Sequence, residues 1–142
     1  MRLFNIIALL AVAGLARYGW QQYHAHEVEA SVSGSSFVDV VQPDGFPARG
    51  VVIMAPENCP SEQAQNAEAL FEKLKQAGVP VTKSSEFSIS PAGDLTGDVR
   101  AAMDRTMAVA QGKVPIVFIG KRGKANPSFD EVVAEYRSQK HS

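Results

Sequence analysis

Two short runs in this chain are apolar at every residue: Val51-Val52-Ile53-Met54-Ala55 and Ile116-Val117-Phe118-Ile119. A strand with one face in water alternates apolar and polar side chains, so a run without alternation predicts a strand covered on both faces. Amphipathic stretches elsewhere in the chain can supply that cover. Ser61 to Gln76 gathers Ala64, Ala67, Leu70, Phe71 and Leu74 on one side, with Pro60 suited to its first turn and Gly78 to its C-terminal stop. Val99, Ala102, Met103, Thr106 and Ala110 mark a second helix that stops near Gly112. Phe129, Val132, Val133 and Tyr136 have the i, i+3, i+4, i+7 spacing of a third, opened by Asn126-Pro127 or by Ser128 with Glu131 as a capping box.

Between these lie weaker signals. Phe37 to Val41 predicts a short first strand, and Pro43-Asp44-Gly45 a turn. Val79 to Thr82 predicts a strand that Pro80 confines to a sheet edge or to its first residue. Residues 84–97 read as loop, and Gly120 to Lys124 as a basic turn, with Arg122–Lys124 as an optional extra strand. Met54, Met103 and Met107 read as core filling. The order (β)-β-α-β-α-β-α predicts an α/β domain, and a right-handed crossover makes the strands at 51–55 and 79–82 parallel.

A length of 142 residues suits one folded domain, here expected over residues 37–142. A net charge of −1 gives no reason to expect a nucleic-acid partner. The first 20 residues differ from the rest: Arg2 precedes an apolar stretch from Leu3 to Ala16, followed by Arg17, Tyr18 and Trp20. Length and the aromatic flank favour an uncleaved signal anchor over a cleaved signal peptide ending near Ala11-Val12-Ala13. Residues 3–20 would then hold the chain at an inner membrane, with the folded part outside the cytoplasm, periplasmic in a Gram-negative cell. Cleavage would instead give a secreted or soluble periplasmic protein. Residues 21–36, polar and small, read as a linker.

Cys59 is the one cysteine, so no internal disulfide and no cysteine-rich zinc site can form, and no metal site is expected. His24, His26 and His141 all lie near the termini, leaving no histidine base for Cys59. The cysteine follows the first apolar run by four residues and precedes the first helix. There backbone dipoles favour a thiolate, although a packed, inert cysteine fits the same position.

With Cys59-Pro60 after Val51-Val52-Ile53-Met54, and Val114-Pro115-Ile116-Val117-Phe118-Ile119-Gly120 later, residues 50–138 resemble the thioredoxin superfamily, glutaredoxins in particular. Those proteins read Cys-Pro-Tyr-Cys and Thr-Val-Pro-x-Val-Phe-Ile at the two places. The resemblance implies a thioredoxin-like three-layer α/β fold with a central mixed sheet, residues 51–55 forming its central strand, and a cis Val114–Pro115 bond. It further implies Cys59 as nucleophile, with Asn58, Pro60 and Ser61 shaping its loop. Val114 and Pro115 would bind the partner peptide like an added strand. Glu62 stands where the second family cysteine would be, so only a monothiol cycle is open, with protein thiols as partners and glutathione as the small thiol it would use. Glu57 and Glu62 oppose a thiolate, and the family's loop lysine is missing. Lys113 reads either as a substitute cation or as a solvated lysine. Lys121, Arg122 and Lys124 read either as an anion receptor near a helix N-terminus or as an exposed turn. The competing function is a catalytically inactive module that binds a protein partner in the same groove.

Overall fold

The computed structural model describes residues 34, 36–56, 60–91 and 93–141. The expected membrane segment at 1–20, most of the 21–36 linker, and Asn58 and Cys59 lie outside the described residues. The chain forms strands β1 (Val38–Asp39), β2 (Val51–Met54), β3 (Val81–Ser84), β4 (Ile116–Ile119) and β5 (Arg122–Ala125), and helices α1 (Glu62–Gln76), α2 (Gly97–Ala110) and α3 (Phe129–Lys140). The protein is thus α/β, with a mixed sheet in the order β1-β5-β4-β2-β3. No helix among the described residues is long and apolar enough to cross a membrane.

Val51–Met54 and Ile116–Ile119 are buried at every residue, and they pair antiparallel, Val51 opposite Ile119 and Met54 opposite Ile116. The pleat divides their side chains. Val51, Ile53, Val117 and Ile119 face α1 and α3, where they pack with Ala67, Leu70, Leu74 and Val132. Met54, Ile116 and Phe118 point to the other side and pack with Val40 and Val109 of α2. Helices therefore cover both faces, as the absence of alternation requires.

β2 and β3 are parallel and β3 is a sheet edge, as the crossover and Pro80 predict. The strand starts later than expected, however. Pro80 lies just before it, with its carbonyl accepting the Val51 N–H at 2.8 Å. Pro60 likewise lies outside its helix: Ser61 is the N-cap, and the ring sits one residue before it. Gly78, at φ +73°, follows the end of α1 as expected. Met107 does not fill the core; it is 44% exposed, and Val109 takes the inward position on α2.

The larger correction concerns residues 120–125. Gly120 (φ +56°) reverses the chain in a turn, and Arg122–Ala125 pairs back onto β4, so the optional strand at Arg122–Lys124 forms and runs one residue further. β1 then adds beyond it, so the middle place in the sheet belongs to β4 and not to residues 51–55. Alternation along β5 sends Arg122 and Lys124 toward α3. Lys124 is buried, and its ammonium lies 2.6 Å from the Glu131 carboxylate. Arg122 bonds the Asp39 carboxylate at 3.0 Å and the Phe37 carbonyl, and its Nε stands 3.4 Å from Glu135. On the other face, Thr106 is fully buried yet satisfied: it accepts from the Val41 N–H at 2.9 Å and donates to the Ala102 carbonyl at 2.7 Å.

Glu131 also completes the capping box of α3, accepting from the Ser128 N–H at 2.7 Å. The Lys124 ammonium, then this N–H, hold its carboxyl below the ordinary value of 4.5. A group depressed on folding stabilises the fold above its unfolded pKa, and that contribution is lost as pH falls through the folded value. Glu131→Gln should therefore cost about 1–3 kcal/mol at pH 7, because it removes a negative charge that lies against a buried ammonium. The gap from wild type should narrow below about pH 4.5. Urea denaturation of both proteins at pH 7 and pH 3 measures this, and an equal gap at the two pH values would refute it.

Candidate functional site

The site builds from the end of the sheet where β2 finishes and β4 begins. Because Met54 stands opposite Ile116 in an antiparallel pair, one further step sets Ala55 beside Pro115. The segment that leaves β2 toward α1 and the segment that enters β4 therefore share one end of the sheet. Ala55 stays in the ladder, its N–H donating to the Ser84 carbonyl at 3.2 Å. Pro56 is exposed.

Of the residues singled out from the sequence, Asn58 and Cys59 fall outside the described residues, as does Glu57. Pro60 is exposed, and Glu62, in the first turn of α1, is exposed as well. The Ser61 hydroxyl accepts from the Ala64 N–H at 3.2 Å, so it caps α1. Such a cap is worth about 1 kcal/mol.

Across from this loop, the Val114–Pro115 bond is cis, as the resemblance implies. Pro115 is buried, and Val114 is half-buried against the core that α1 and α3 share. The Pro115 carbonyl accepts from the Asn126 N–H at 2.7 Å, which fastens the loop to the end of β5. The main-chain groups of Val114 make no hydrogen bond among the described residues. A backbone donor and acceptor without partners among the described residues, on a half-buried residue, is what an added peptide strand requires. Lys113, next to it, is exposed.

Lys121, Arg122 and Lys124 do not form an anion receptor. Lys124 is held by Glu131, and Arg122 by Asp39 and the Phe37 carbonyl; Lys121 alone of the three is exposed. At the start of α3, the place a foreign carboxylate would take is filled by the chain's own Glu131. For glutathione this leaves the open backbone of Val114 and the ammonium of Lys113 as the groups on this side that fit it. Among the described residues, no three His, Cys, Asp or Glu side chains come together to hold a metal.

Two residues that position the loop are hard to single out by sequence reasoning. Asn126 sits at φ +50°, a left-handed conformation that asparagine adopts more readily than most residues, and from there its N–H reaches Pro115. Gly112 reads in the sequence as a helix stop, but its role is contact. A Cβ there would run into the Ala125 methyl and lie 3.1 Å from the Val109 carbonyl. Glycine thus lets the α2–β4 connection lie directly on β5 and carry Val114 and Pro115 to the sheet end.

Compared with protein-family models, curated proteins and solved structures, the chain has no match.

Gly112→Ala should destabilise the protein by roughly 1–3 kcal/mol through overpacking against Ala125. The same substitution should shift the amide resonances of Lys113 and Val114. An unchanged denaturation midpoint would show that the contact relaxes at no cost.

Proposed function

We propose that this protein is a thioredoxin-fold, glutaredoxin-like monothiol domain, held at a membrane through residues 3–20, that performs thiol–disulfide or glutathione mixed-disulfide exchange through Cys59. The observation that carries this reading is the open backbone of Val114 at the sheet end where the Cys59 loop departs. The sheet order and the position of Pro115 support the family resemblance that the sequence motifs suggest.

In the proposed cycle the Cys59 thiolate attacks the glutathione sulfur of a protein–glutathione mixed disulfide. The S–S bond breaks, the protein thiolate leaves and takes a proton, and Cys59 becomes glutathionylated. A second glutathione thiolate then attacks that disulfide, releasing oxidised glutathione and restoring the Cys59 thiolate. Val114 would hold the substrate strand in register with the sulfur, and Lys113 would meet a substrate carboxylate. The start of α1, whose N-cap Ser61 is two residues beyond Cys59, would favour the thiolate.

The second reading is a partner-binding module without chemistry. Glu62 favours it: a carboxylate in the first turn of α1 opposes a nearby thiolate. The rate of iodoacetamide alkylation against pH separates the two readings. The exchange reading expects a Cys59 pKa below the free-cysteine value of about 8.5 and loss of exchange activity in Cys59→Ser. A pKa at or above that value, with unchanged cellular function of Cys59→Ser, would leave the binding module.

A further inference from the structure

The edge strand β3 is built to accept another strand. The carbonyls of Pro80 and Ser84 accept from Val51 and Ala55, so the even-numbered residues of β3 face β2. By the same period, the N–H and C=O groups of Val81 and Lys83 point away from the sheet, and they have no partner among the described residues. An edge lysine usually guards such a row with its charge. Here that guard is disarmed: the Lys83 ammonium is bound to Glu68 at 2.6 Å and lies over the Phe71 ring, 4.8 Å from its centre.

A cleft of about 490 Å³ runs beside this edge, on the sheet face that α2 shares with Phe46 and Phe87. Thr82 and Ser84 of β3 help form it, with the aromatic rings of Phe46 and Phe87 also lining it. Both rings rest on Phe118, at centroid distances of 5.9 and 6.3 Å. Two carboxylates also line it. Asp44 is fixed by the hydroxyls of Ser88 and Ser90, at 3.2 and 2.8 Å, and Glu86 forms no ion pair among the described residues.

We infer that β3 docks an extended basic segment of another protein, which adds as a strand along Val81 and Lys83. Every second side chain of that segment, an arginine or lysine, faces the cleft; one of them lays its aliphatic stem between Phe46 and Phe87 and brings its charge to Asp44 and Glu86. Strand pairing supplies the affinity, and the acidic, aromatic-sided cleft selects the partner. A second copy of this chain fits poorly, because pairing β3 with β3 would bring like-charged clefts together. The inference does not rest on the Cys59 reading.

The test uses the ¹⁵N-labelled full chain and the blocked peptide acetyl-Val-Arg-Val-Arg-Val-Arg-amide. Binding should slow hydrogen exchange at the Val81 and Lys83 amides and shift the resonances of residues 44–46 and 82–88. It should be abolished by N-methylation of alternate peptide amides, and Cys59→Ser should leave it unchanged. Replacing both carboxylates, Asp44→Asn with Glu86→Gln, should weaken it about tenfold at low salt. The proposal is overturned if the peptide does not bind, or binds without protecting Val81 and Lys83. It is equally overturned if a glutamate-for-arginine peptide binds as well, or if sedimentation shows a dimer with those amides protected in the absence of peptide.

Discussion

The antiparallel pairing of β2 with β4 is the contact on which every other element rests. Eight consecutive-face residues, Val51 to Met54 and Ile116 to Ile119, are removed from water on both sides of one ribbon. Each large apolar side chain contributes about 1.5–3 kcal/mol when fully buried, so neither side can be left open. That requirement places α1 and α3 against one side and α2 against the other. It also fixes the register, because a slip of one residue would exchange the two sets of side chains. The sheet end that gathers Ala55 and Pro115 follows from the register, so the candidate site is a by-product of core packing.

What could be read from the sequence divides along the same line. Most residues whose role is burial announced themselves, although on α2 the pattern pointed to Met107 where Val109 is the buried one. The two apolar runs, the helical spacing of Leu70 and Leu74, and the Ser128–Glu131 capping box all depend on local pattern, and all appear where that pattern puts them. Residues whose role depends on a distant partner did not. Lys124 looks like a solvated lysine until β5 folds back on β4 and turns its side chain toward Glu131. Gly112 looks like a stop signal until Ala125 arrives beside it. The strand of residues 122–125 was legible only as an option: its composition of arginine, glycine, lysine and alanine has little intrinsic strand preference, and its neighbours on both sides hold it extended.

The candidate site shows the same split. Val114 and Pro115 could be named from the motif, and the register accounts for why they stand opposite the loop after β2. Ser61 could be named too, but its hydroxyl is committed to the helix it opens. The basic residues 121–124 were legible only as charge. Their placement assigns two of them to internal contacts, which lowers the positive potential that an anionic thiol compound would meet on approach.

β1 is two residues long and, among the described residues, joins the sheet through β5 alone. Asp39 and the Phe37 carbonyl are gripped by Arg122, and the Asp39 carbonyl accepts from Arg105 at 2.8 Å. Mechanical tension applied to the chain ahead of Phe37 would therefore meet this clasp first. Two guanidinium groups and a pair of strand rungs would bear the load, and they would yield before the β2–β4 ribbon felt any of it.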